Sequence, residues 1–256
     1  MENEKPKNTP AYVLAWALWA IPFTAVAYFA GQFIGAIPFV LYVIVTGQTD
    51  GQLTALENSV IGQSLFVVSV EVATIGLLYL AMRILRVTRR AIGLIRPKIH
   101  DLAYALAGYA GYFILYYIIV IIVGLIAQSI NLDQDQSLGF DPVTVQGLSL
   151  LPVFISLVVL PALVEEIVMR GFLFSGLRTK LGFMVSAVIT SSLFALAHLQ
   201  WGSDAPLLWI AAIDTFILSL FLCYLREKTG RLAAPIVLHG IKNFVAFTVL
   251  FIFKLG

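Results

Sequence analysis

The chain has 256 residues, of which 60% are hydrophobic and only 12% charged, and its mean hydropathy is +0.95. Soluble domains hold roughly 45–50% apolar residues, so this composition excludes a soluble globular domain and predicts an all-α, polytopic membrane protein. The formal charge of +2 comes with basic residues gathered beside apolar runs, which points to topology and anionic lipid and away from nucleic acid. Cys223 is the only cysteine, which excludes an intrachain disulfide and a cysteine-based metal cluster.

In chain order, apolar runs long enough for a membrane crossing lie near residues 11 to 46, 59 to 82, 102 to 128, 147 to 169, 182 to 200, 206 to 225 and 232 to 253. The first is too long for one ordinary span and is interrupted by Gly31, Gly35 and Pro38. It reads as a tilted helix or as a helix plus a re-entrant piece, giving about seven to eight transmembrane helices. Ala25-Val26-Ala27 resembles a cleavage site, but the run far exceeds a secretory core of about 7–15 residues, so the first helix is expected to stay attached.

Basic residues alternate with acidic ones from connection to connection. Lys5 and Lys7 precede the first span; Arg83, Arg86, Arg89, Arg90, Arg96 and Lys98 follow the second; Arg178 and Lys180 follow the fourth; Arg226, Lys228 and Arg231 follow the sixth. The opposite connections carry Asp50 and Glu57, then Asp133, Asp135 and Asp141, then Asp204. The excess of Lys and Arg predicts an N-terminus in the cytoplasm. Short loops suggest a bacterial plasma membrane, with the endoplasmic reticulum as the alternative.

Polar residues within spans are concentrated late in the chain. Residues 1 to 145 read as N-terminal helices with chiefly Glu71 in their spans. Residues 146 to 256, integrated with them in one membrane domain, hold Glu165, Glu166, His198, Asp214, His239, Lys242 and Asn243. An ionisable side chain near the bilayer centre costs roughly 2.5–3.5 kcal/mol on insertion scales and faces a cavity or a partner.

Three patterns have helical spacing: Glu165-Glu166-x-x-x-Arg170, Phe194-x-x-x-His198 and His239-x-x-x-Asn243. Residues four apart share a helix face, so Glu166 and Arg170 can pair as supporting residues while Glu165 points about 100° away. Glu165 is then the freer carboxylate, suited to act as a general base on water. His198 could hold that water, and His239 with Asn243 could form an oxyanion hole. No Ser or Cys in these patterns stands beside a base as a nucleophile would.

These three patterns, in this order on successive helices, resemble the CPBP family of intramembrane proteases, which includes CAAX prenyl endopeptidases, Abi proteins and bacteriocin-processing or self-immunity proteins. The resemblance runs from about residue 145 to the C-terminus and extends to Arg170-Gly171-Phe172 and Arg226-x-x-x-Gly230. It implies an endopeptidase in which Glu165 activates water beside His198, with His239 and Asn243 stabilising the oxyanion. The substrate implied is a CAAX-type protein or a bacteriocin or signalling peptide, lipid-modified or plain. Lys242 and Asp214 depart from the pattern and bear on substrate preference. A metal-free mechanism is favoured; were zinc bound, Glu165, His198 and His239 would be its ligands, although no His-Glu-x-x-His is present.

Two other classes compete: a non-catalytic immunity or interaction protein on the same scaffold, and a proton-coupled transporter using Glu165, Glu166 and Asp214. The latter is disfavoured because no repeats or paired half-helices are visible. One geometric difficulty remains at this level. If the fourth span ends near residue 169, Glu165 lies in its inner half, whereas His198 lies 18 residues past Lys180, about 27 Å of helix. The favoured resolution is that residues 170 to 181 form a short re-entrant or amphipathic piece inside the membrane.

Overall fold

The computed structural model describes residues 10–47, 54–56, 58–127, 132, 134, 138–200 and 206–255. Among them are seven helical segments of 15 residues or more in an all-α arrangement: α1 (Pro10–Thr46), α2 (Val60–Ile84), α3 (Ile99–Ile126), α4 (Gly147–Arg178), α5 (Phe183–Ala197), α6 (Trp209–Thr229) and α7 (Ala233–Ile252). Six are long and apolar enough to span a membrane, and α5 is a shorter apolar helix. The chain is therefore a multi-pass integral membrane protein. Leu, Ile, Val and Phe stand outward along α1 and α3, as lipid-facing helices require.

The long first run is one continuous helix, with Pro22 and Pro38 inside it and no re-entrant piece. Its glycines serve close packing. A Cβ on Gly35 would lie 2.7 Å from both the Cα and the backbone N of Val70, and one on Gly31 would meet the Thr74 side chain. Small residues let helix backbones approach closely where lipid offers no hydrophobic drive for association. Because the obstacle at Gly35 is backbone, Gly35→Ala is expected to destabilise the α1–α2 pair by about 1–3 kcal/mol. Thermal unfolding of the purified protein in detergent would register this as a lower midpoint.

The helix α4 is the axis of the molecule. Its residues Val164, Val168, Met169, Phe172, Leu173 and Leu177 pack with Trp16 and Ala20 of α1, Leu78, Ala81 and Met82 of α2, and Phe194 of α5. A second cluster joins Ala105 and Tyr112 of α3 to Leu218, Leu222 and Leu225 of α6 and Leu238 of α7. Within α4, Ile155–Val159 and Ile167–Phe174 are π-helical and flank an α-helical stretch, Leu160–Glu166. Pro161 has no N–H to return to the Leu157 carbonyl, and the ladder re-pairs in the wider turn before it.

The basic connections meet at one end of the bundle. Arg178 forms a two-point ion pair with Glu227 at 3.0 and 2.7 Å. Arg231 Nε bonds Asp101 at 3.0 Å, Arg226 Nη2 reaches the Ala91 carbonyl at 3.0 Å, and Leu232 N donates to the Gly93 carbonyl at 3.0 Å. The Arg226-x-x-x-Gly230 motif has a structural role here: Gly230, at φ +67, caps α6 through its N–H to the Arg226 carbonyl. Of the charges used for topology, Lys5, Lys7, Asp50, Glu57, Asp133, Asp135 and Asp204 lie outside the described residues.

The distance problem between Glu165 and His198 dissolves in this fold. The helix α4 continues unbroken past residue 169 to Arg178, so 170–178 is the buried continuation of the span and not a separate re-entrant or amphipathic piece. Glu165 thus stands about 20 Å from the turn that follows Arg178. The helix α5 climbs back about 22 Å over its 15 residues and ends at His198. The antiparallel pair brings both residues to one level.

Candidate active site

The six site residues read from the sequence come together on α4, α5 and α7. Arg170 Nη1 donates to Glu166 Oε1 at 2.8 Å, and both side chains are fully buried. The same oxygen lies 2.9 Å from His239 Nδ1. The other edge of that ring faces Glu165, with Nε2 3.9 Å from Glu165 Oε2. A Glu166 carboxylate that already accepts from Arg170 can take only a proton donor at this position, which places the His239 proton on Nδ1 and turns Nε2 toward Glu165 and the cavity.

Phe194 is the common neighbour of the cluster. The Arg170 guanidinium carbon sits 4.5 Å from its ring centre, while the His198 and His239 rings lie at 4.6 and 6.1 Å. The sequence pattern Phe194-x-x-x-His198 is therefore a packing device as well as a polar one, since an aromatic face stabilises an adjacent cation. His198 Nδ1 is 2.8 Å from the Phe194 carbonyl. A carbonyl only accepts, so Nδ1 carries the proton and Nε2 remains as an acceptor.

Glu165, Phe194, His198, His239, Lys242 and Asn243 line one cavity of about 990 Å³, together with Thr215 and Leu218 of α6 and residues 138–143. Glu165 is the more accessible carboxylate, its side chain 30% exposed against 0% for Glu166. Its Oε2 has no hydrogen-bond partner among the described residues. At the mouth, Asp141 accepts the backbone N–H of Val143 at 2.9 Å. That bond, foremost, holds the Asp141 carboxyl below its ordinary range. Lys254 Nζ bonds the carbonyls of Pro142 and Val145, closing the C-terminal end of α7 onto the loop before α4.

The two residues that depart from the family pattern are partners. Lys242 Nζ lies 3.0 Å from Asp214 Oδ2, and Tyr112 Oη donates to Asp214 Oδ1. Sequence reasoning placed Asp214 on the sixth span and Lys242 on the seventh without linking them. Their opposite charges at matching depth were the available signal, and Tyr112, on α3, carried none. Glu71, also unassigned by pattern, sits half-buried on α2 within electrostatic range of Glu165.

Whether a metal fits can be judged from the donor set. His239 Nδ1 is bonded to Glu166 and His198 Nδ1 to a backbone carbonyl, which leaves each Nε2 as the nitrogen open to a ligand. Among the described residues, no three His, Cys, Asp or Glu side chains converge as a metal site requires, Glu165, His198 and His239 included. The three are not gathered around one point in this arrangement, and no step below passes through a metal.

Fold and site together define a polytopic membrane protein in which two carboxylates, two imidazoles and an amide gather around one cavity. Residues 147–245, from the start of α4 to just beyond Asn243, match the family model for Rce1-like proteins, the type II CAAX prenyl endopeptidases. The matched segment contains all six site residues, and over it the chain is similar to that family. No curated protein and no solved structure matches the chain.

Proposed function

We propose that the protein is an intramembrane endopeptidase that hydrolyses a peptide bond with water activated by Glu165. The observation that carries this reading is the position of His239, bonded to buried Glu166 on one edge and facing the freer Glu165 on the other, in a cavity shared with His198 and Asn243. Glu165 takes one proton from a water molecule whose other proton is held by His198 Nε2. The water oxygen attacks the carbonyl carbon. Carrying a proton on each ring nitrogen, with Nδ1–H held by Glu166, His239 donates from Nε2, together with the Asn243 amide, to the carbonyl oxygen as it becomes negative, and Lys242 lines the same cavity. Glu165 then returns its proton to the departing amine as the C–N bond breaks.

The cavity walls suit an apolar substrate. Leu157, Leu218, Phe247, Leu250 and Phe251 line the main chamber. An adjoining groove of about 540 Å³ between α1 and α2, lined by Phe39, Val40, Val43, Ile44 and Phe66, shares Asn58 and Gln63 with it. A peptide or protein segment with a lipid chain would be accommodated by chamber and groove together, and a plain apolar signalling peptide by the chamber alone.

The test compares protein and peptide termini, by mass spectrometry, in cells lacking this protein and supplied with wild type or Glu165→Gln at matched levels. New termini with wild type only are expected and would disclose the substrate. Matching profiles, with the deletion phenotype still rescued by the variant, would favour a non-catalytic binding protein. With a substrate in hand, Asn243→Ala is expected to lower kcat by about 100- to 1,000-fold, the cost of one oxyanion donor, with little change in KM.

A further inference from the structure

The basic connections mark one end of the bundle, and the cavity lining runs toward the other. Bonds between Arg178 and Glu227, Arg231 and Asp101, Arg226 and Ala91, and Leu232 and Gly93 tie the 83–98, 178–182 and 226–232 connections into one face. The start of α1 belongs to this face too, through Thr179 Oγ1 to the Val13 carbonyl at 3.4 Å. By sequence, the connections at the opposite end carry Asp50, Glu57, Asp133, Asp135, Asp141 and Asp204.

From the site toward the basic face the protein is solid. Arg170, Phe172, Leu173 and Leu238 are wholly buried, and Phe174, Ile92, Leu232, Leu225 and Leu177 are nearly so. A Cβ on Gly171 would already lie 3.3–3.4 Å from Leu232 and Ile92, leaving no channel there. In the other direction the cavity is lined by Leu250, Lys254, Asn58 and residues 138–143, ending at exposed Val143. Those groups lie at the end where α2 and α4 begin and α7 finishes.

Lys and Arg in short connections stay on the cytoplasmic side of a membrane. We infer that the cavity opens on the non-cytoplasmic face, so that its substrate is the exported part of a peptide or membrane-anchored chain. This rests on the proposed peptidase reading only for the word substrate; the sidedness stands on charge and packing. A lipid-modified protein confined to the cytoplasm would meet the closed end. A peptide that has crossed the membrane, or one whose lipid is anchored in the outer leaflet, would meet the open one.

Thiol accessibility decides it without any assay of hydrolysis. The sole native cysteine, Cys223, is wholly buried and is replaced in a Cys223→Ala background. Single cysteines are then placed at Val143 on the mouth, at Ala246 within the cavity and at Ile95 in the basic connection. The full chain is expressed in the plasma membrane of bacterial cells and exposed to a membrane-impermeant maleimide before and after permeabilisation.

Val143→Cys and Ala246→Cys are expected to label in intact cells, and Ile95→Cys only after permeabilisation. The reverse pattern, equal labelling of Ile95→Cys and Val143→Cys, or labelling of Ala246→Cys only after permeabilisation would each overturn the inference. Thermal unfolding of each variant checks that the fold is intact, and Leu94→Cys stands in for Ile95→Cys, or Pro142→Cys for Val143→Cys, should either not fold. If sidedness is as inferred while no new termini depend on Glu165, the peptidase reading alone falls.

Discussion

Glu165→Gln is expected to lower the turnover of a cleaved substrate by about 100- to 10,000-fold, the range that a positioned general base supplies, while leaving the folded protein as stable as wild type. The geometry separates the two effects. Glu165 is partly exposed in the cavity, its Oε2 has no hydrogen-bond partner, and its nearest ionic contact is His239 Nε2 at 3.9 Å. Glutamine preserves shape while removing the negative charge, and with it the capacity to accept a proton from water and one long ionic contact. Purified wild type and variant would be compared by kcat and KM on the substrate found in cells and by thermal unfolding in the same detergent. A fall in kcat with KM and unfolding midpoint unchanged is the expected result. Equal turnover by the two proteins would remove Glu165 from the chemistry and leave the cavity a binding site.

The neighbouring residue should behave in the opposite way. Glu166 and Arg170 are both fully buried and bonded at 2.8 Å, and Glu166 also holds His239 at 2.9 Å. Removing one member of a buried pair strands an uncompensated charge and costs about 3–5 kcal/mol, whereas replacing both by apolar groups of similar size is often close to neutral. Arg170→Met is therefore expected to lower the unfolding midpoint sharply, and Glu166→Gln with Arg170→Met to recover much of the loss. The recovered double variant should remain inactive, because His239 has lost the carboxylate that fixes its orientation. Equilibrium unfolding of the two single variants and the double variant would measure the coupling. Additive losses would mean that the pair contributes nothing as a pair.

These contrasting expectations for adjacent glutamates come from local geometry that the sequence already contained. On a helix, position 166 must face 170 and position 165 must turn away, and the pairing survives even though the turn containing Arg170 is π-helical. The α4 path was not legible in the same way. Ending the span at residue 169 suited an average bilayer thickness, yet the buried side chains through Leu177 carry the helix on to Arg178. Hydropathy weakens at a buried Arg170 because the ion pair that neutralises it is invisible to a sum over single residues.

What the sequence by itself determined was composition, period and spacing. These gave a helical membrane protein of about seven to eight spans, where the fold has six helices long enough to span and one shorter, together with the basic and acidic alternation of its connections and three polar patterns on late helices. Tertiary structure alone decided which groups touch. It made His239 the imidazole against both carboxylates and turned His198 Nδ1 to the Phe194 carbonyl. It joined Lys242 and Tyr112 to Asp214, and ran the cavity lining from Glu165 and His239 to the 138–143 segment. The physical reason is range: helical period and side-chain polarity are fixed within a few residues, whereas depth, rotation and tilt are set by packing among helices far apart in the chain.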